Sequence, residues 1–142
     1  MILQEKQHIQ TINGFSTSDW KPLFDLIPDI EKASGFGEMK GGERTKEGAL
    51  EMPYWAESEI VSRFKKIVYE MPIIIDFDWA SWDEGREMIT DKNVNFDSID
   101  TPTKCKLITA IVRNDRFCEG ALASAFESGL IYKLLRSIQN QR

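Results

Sequence analysis

The feature that most limits what this chain can fold into is the return of apolar side chains at helical spacing over its last forty residues. Leu107, Ile108, Ile111 and Val112 share one face of a helix. Phe117, Cys118, Ala121, Leu122, Ala125 and Phe126 follow in steps of one and three, and Leu130, Ile131, Leu134, Leu135 and Ile138 repeat the pattern. Each run is an apolar stripe that a lone helix would leave in water. Arg113-Asn114-Asp115 and Ser128-Gly129 mark short corners between the runs. Short corners make successive helices neighbours, so the three stripes cover one another.

The rest of the chain adds shorter helical signals. Trp20, Leu23, Phe24, Ile27 and Ile30 follow a helical period from a start near Ser18. Asp19 suits that first turn, and Pro22 is tolerated there because its missing N–H would be unpaired anyway. Pro28 predicts a break near Ile27, with a short second piece to Ala33. Ser58 is an N-cap candidate for a helix to about Tyr69, whose stripe is Ile60, Val61, Phe64, Ile67 and Val68. Met71-Pro72 ends it. Ile73-Ile74-Ile75 then reads as a buried extended segment without a partner strand.

Ser81-Trp82-Asp83-Glu84 has capping-box spacing for a helix to about Ile89. Thr101 as N-cap and Pro102 at the first helical position open the next. Residues 1–17 carry no firm period and read as a frayed lead-in with Ile9, Ile12 and Phe15 resting on the body. Residues 34–52 hold five glycines among many charges and read as a long loop. The expectation is an all-α fold: one helical domain over residues 1–142, an irregular bundle of about five to six helices, with at most one short strand-like segment near residues 73–76.

A chain of 142 residues with 42% hydrophobic content buries a core without help from a metal or disulfide. Cys105, Cys118 and the single His8 make no zinc set, and no cofactor is expected. The N-terminus is too polar for a signal peptide and no apolar run approaches a membrane span, so the cytoplasm is the expected location. The net charge of -5 argues against a general nucleic-acid binder. A small basic surplus around Lys104, Lys106, Lys133, Arg136 and Arg142, with Tyr132 among them, keeps a weak nucleic-acid reading open. The charge is uneven: residues 76–100 carry eight acidic and two basic side chains, residues 102–142 three acidic and seven basic. Either the two stretches pair inside the fold, or they make a bipolar surface for a partner.

Two groups of residues are candidates for chemistry. Arg113, Asp115, Arg116 and Glu119 meet at a helix corner. Arginine forks suit phosphate or carboxylate, and a nearby carboxylate suits a general base. The structural alternative has Asp115 capping a helix that opens at Arg116, and Arg113 capping helix-end carbonyls or pairing with an acid between Asp76 and Asp83. Asp76 and Asp78 flank Phe77, so an extended backbone turns both carboxylates to one side. That suits a hard cation, although two carboxylates alone are a thin ligand set, and no metal is expected. Trp79 and Trp82 either cradle a ligand or pack as lids on the core. Cys118 falls on an apolar stripe and reads as a buried thiol without a base.

The string Leu107 to Gly120, the run from Ala121 to Leu135, and the upstream Asp76-Phe77-Asp78-Trp79-Ala80-Ser81-Trp82 with Glu84-Gly85 resemble the DUF6508 family of small bacterial proteins of unknown function. The resemblance covers roughly residues 54–139. It implies a small helical domain and no activity. The reading that follows is a non-catalytic protein-interaction or accessory protein, binding a protein partner or itself. The alternatives are an anion-binding domain or enzyme using the corner cluster, and a weak nucleic-acid binder.

Overall fold

The computed structural model describes residues 2–42, 44, 46–50 and 52–141, and the side chains of these from residue 5 onward. The expected irregular helical bundle is the architecture, joined by one small antiparallel hairpin.

The stretch read as a lead-in holds helix α1 (Ile2–Asn13). Its apolar pattern is weak, and it is held by contacts made far along the chain. Ile12 is fully buried, Glu5 pairs with Lys106, and the His8 ring is hydrogen-bonded to the Pro72 carbonyl. Helix α2 (Thr17–Phe24) begins at a capping box one turn ahead of Trp20. The Asp19 amide donates to the Ser16 hydroxyl, and the Ser16 amide donates to the Asp19 carboxylate. Pro22 therefore lies inside the helix and not in its first turn. The chain bends at Asp25, and Pro28 falls in the first turn of α3 (Leu26–Lys32), where it displaces no hydrogen bond.

Strand β1 (Gly37–Lys40) lies within the expected loop and pairs with β2 (Tyr54–Glu57), Gly37 opposite Glu57 and Lys40 opposite Tyr54. Helix α4 (Glu59–Glu70) starts where Ser58 predicts it, with the hydroxyl accepting the Val61 amide. Ile73, Ile74 and Ile75 are buried and join no sheet, both as expected. The Ile75 amide donates instead to the Thr109 hydroxyl at 3.0 Å, and that hydroxyl donates to the Cys105 carbonyl at 2.8 Å. A buried amide is thus satisfied by a side chain where a strand would have used a ladder.

A single 3-10 turn (Trp79–Ser81) leads into α5 (Asp83–Thr90). Trp82, not Ser81, stands at the cap, and no side chain caps this helix. Helix α6 (Thr101–Asn114) is capped by Asp100, one residue before the expected Thr101. Then come α7 (Ala121–Glu127) and α8 (Leu130–Asn140). Each follows a glycine at positive φ, Gly120 at 84° and Gly129 at 85°, a conformation that other residues adopt only with strain.

Helix α6 is the axis of the molecule. From Thr101 to Val112 all of its side chains are buried except Thr103 and Lys106, which are half-buried. Helices α1, α5, α7 and α8 and the 3-10 turn all pack on it. Phe126 of α7 ties a second region together: its ring lies 5.1 Å from Phe36 at the root of β1 and 5.2 Å, edge-on, from Phe64 of α4. Ile111, Phe126 and Leu134, one from each of the last three helices, are all buried.

Candidate functional site

Helix α6 ends at Asn114, and the chain crosses to α7 through a six-residue corner. The Asn114 carbonyl accepts both the Phe117 and Cys118 amides at 2.9 Å. This tight turn does not continue the helix, so the stripe expected through Phe117 and Cys118 is broken there. Both side chains are exposed, Phe117 by 77%. Across from this corner stand the 3-10 turn and α5. Between them lies an open cleft of about 850 Å³, within the range of small-molecule sites.

Trp79 and Phe117 face each other at its mouth, with ring centroids 6.1 Å apart. Trp82 lines the same wall, its ring edge-on to Phe77 at 5.4 Å. Ala110, Ile111 and Ala125 form an apolar floor. Gly85 lets the Trp82 ring fold over the first turn of its own helix: a Cβ there would sit 2.1 Å from that ring. Among the polar residues of the cleft, Thr90 and Ser128 give their hydroxyls to their own helices. Arg86 donates to the Ala80 carbonyl and pairs with Asp83. The half-buried Asn114 side chain makes no hydrogen bond among the described residues, so an amide donor and acceptor stand ready beside an apolar floor.

The residues singled out from the sequence divide between this cleft and the structure that frames it. Trp79 and Trp82 line the cleft. Asp76 and Asp78 are exposed beside it and, like Glu84 and Glu87, make no ion pair among the described residues. Asp115 caps a helix, but the one opening at Ala121: its carboxylate accepts the Leu122 amide at 3.0 Å. Glu119 accepts the Trp55 amide at 2.6 Å and so straps β2 to the corner. Arg116 points the other way, donating to the Tyr69 hydroxyl at 3.4 Å. It lines a separate hollow of about 250 Å³ with Lys65, Lys66, Tyr69, Val112 and Asp115. Arg113 is half-buried, and its Nε is buried without a partner among the described residues. The corner cluster does not converge on one point.

Among the described residues no group of three or more His, Cys, Asp or Glu side chains is placed to hold a metal ion. No helix there is long and apolar enough to cross a membrane. A family model described as a family of unknown function, DUF6508, matches residues 15–142. The chain belongs to the DUF6508 family. No curated protein and no solved structure matches it.

The residues that periodicity missed in this DUF6508 chain are Arg86, Asn114 and Phe117. Asn114 was legible as a corner residue but not as an uncommitted amide. Phe117 carried the opposite signal, because its spacing matched a buried stripe. The basic C-terminal region is partly spent inside the fold. Lys104 is fully buried and donates to Ser137, which donates to Asp97, while Lys106 pairs with Glu5 and lies over the Phe77 ring.

Proposed function

We propose that this protein is a non-catalytic binding module of the bacterial cytoplasm whose cleft takes a segment of a protein partner, one carrying a large apolar side chain flanked by basic residues. The observation that carries the reading is the aromatic mouth formed by Trp79 and Phe117 over an apolar floor, with the Asn114 amide left without a partner. Large rings give contact area at low entropic cost, and interface anchors concentrate in such pockets. The charge preference comes from the wall beside Trp79, where Asp76 and Asp78 are exposed and make no ion pair among the described residues. A basic flank would be steered and oriented by that wall.

The test is a fluorescence titration with two sets of short peptides, each holding one Phe or Trp, flanked by lysines in one set and by glutamates in the other. Lysine-flanked peptides are expected to perturb the tryptophan emission at lower concentration. Phe117→Ala or Trp79→Ala is expected to weaken binding by roughly tenfold, the usual cost of truncating an anchor. Equal binding of both sets, or binding indifferent to both variants, overturns the reading.

A second reading is supported by the smaller hollow. Lys66 and Arg116 line it with no ion pair among the described residues, beside the Tyr69 hydroxyl. Such a group suits a phosphate or carboxylate. Asp115 on its rim and the Lys65–Glu57 pair at 2.7 Å reduce its positive charge, which is why it ranks second. Titration with inorganic phosphate, compared between the natural chain and Arg116→Ala, separates the two: loss of phosphate binding with peptide binding intact supports this hollow as a site of its own.

A further inference from the structure

We infer that two copies of the chain associate through the outer edge of β1, joining their hairpins into one four-stranded antiparallel sheet about a two-fold axis at Met39. The hairpin's hydrogen bonds fix which way each residue of β1 faces. Met39 stands opposite Trp55, yet the Trp55 amide is given to Glu119 and points away from β1. In an antiparallel pair, bonded and non-bonded residue pairs alternate. Met39–Trp55 is therefore a non-bonded pair, in agreement with the Ser58 amide donating to the Phe36 carbonyl three steps along the ladder. It follows that β1 turns the N–H and C=O of Met39 outward. The corresponding edge of β2 is covered by Glu119, whereas Glu38, Met39 and Lys40 are all exposed.

An open edge of this kind is a template for another strand, and a two-stranded sheet is marginal alone. This edge is complementary to itself. A two-fold axis at Met39 sets Met39 opposite Met39 of the second copy, where the two residues exchange two backbone hydrogen bonds. It sets Glu38 opposite Lys40 of the second copy, and Lys40 opposite its Glu38. Opposite charges directly across a pair of strands stabilise it. Within one copy the Glu38 carboxylate and Lys40 ammonium are 3.6 Å apart on the same face, so both already sit at the height the cross-strand pairs need. The surroundings are apolar as well. Of the exposed large hydrophobic residues, Met39, Leu50, Met52 and Tyr54 belong to the hairpin and its loop, and only Tyr69 and Phe117 lie elsewhere among the described residues. Clustered exposed apolar side chains mark association surfaces. The same patch meeting itself gives a closed dimer and no open chain of copies.

The test is sedimentation velocity on the full chain over rising concentration, with two charge variants. Lys40→Glu leaves two carboxylates on that face, and Glu38→Lys leaves two ammonium groups. The natural chain is expected to pass from monomer to dimer. Each variant alone is expected to stay monomeric with an unchanged circular dichroism spectrum, and an equimolar mixture of the two to recover the dimer, since each face then meets its opposite. A natural chain monomeric throughout overturns the inference. So does a mixture that remains monomeric where the natural chain dimerises, or a dimer in either variant alone as strong as the natural one. Dissociation of the dimer by Phe117→Asp but not by the charge variants would place the interface at the cleft and overturn it too.

Discussion

Asp115 and Glu119 lie four residues apart on one corner, and each carboxylate is committed to a backbone amide. Asp115 accepts the Leu122 amide at the open end of α7, a helix whose glycine cap offers no side chain for that purpose. Replacing it with alanine is expected to cost about 1 kcal/mol, the usual worth of a helix cap. A chain of this size should then lose roughly 3 °C in Tm by thermal denaturation. Asp115→Asn should keep most of that stability, because its amide oxygen still accepts the bond. The capping role of Asp115 was legible from its residue type and its place after an apolar run. Which helix it caps was not, because the chain spends six residues on a turn that only Gly120 at positive φ completes. Glu119 stood out as a member of the corner cluster, but its role as a strap left no signal: its partner, Trp55, is 64 residues away, and no local pattern encodes such a contact. Phe117 misled because helical spacing says nothing of a side chain once the helix has stopped.

At the scale of elements, the helices with strong stripes were readable and those held from outside were not. Helix α4 and the three C-terminal helices bury the faces that periodicity assigns. Helix α1 has no such stripe and depends on partners near residues 72 and 106. The hairpin was hidden because β1 is mostly exposed and holds glycine and charge in place of β-branched residues, and because the strand-favouring pair Tyr54-Trp55 of β2 spans too few residues to show an alternation. The isoleucine segment is buried and extended without a partner strand, as its apolar run predicts, and the Ile75 amide is served by one hydroxyl. Thr109→Val keeps the shape of that side chain and removes its acceptor. It should cost about 1–3 kcal/mol, the penalty for a buried amide without a partner, measured by urea unfolding. Tyr132 of α8 gives a pH-dependent contact with α3. Its hydroxyl donates to the Glu31 carboxylate at 3.0 Å. That bond, then desolvation, then the charge of Glu31 raise its pKa above the ordinary 10.0. A raised pKa means the folded state favours the neutral phenol. The contact is therefore fully present below pH 10 and is lost as pH rises through the raised value. Phenolate absorbance should show one tyrosine titrating late, and Glu31→Ala should bring it back toward its ordinary range.

For the molecule as a whole, the arrangement around α6 sets a gradient of stability. The helix is buried along almost its full length, while the hairpin is exposed and fastened to the body by Trp55, Phe36 and Glu119. Native-state hydrogen exchange should find the slowest amides between Leu107 and Val112, opening only when the entire fold opens, and fast ones at the tip of the hairpin. If residues 105–112 exchanged as quickly as the hairpin, α6 would not be the axis. The helical bundle was legible because its core lies in the segment with the strongest period. The cleft was not, since it arises where α5 and the corner after α6 stand apart, and a gap between elements leaves no mark on either one.

The central place of α6 also bears on how the chain is made. Helices α1 to α5 are all made before the surface on which α1 and α5 rest. Until residue 112 or so emerges, Trp20, Phe64 and the three isoleucines have no completed interior to enter. A growing chain that holds only α1 to α5 therefore carries greasy surfaces it can hide fully only once α6 arrives.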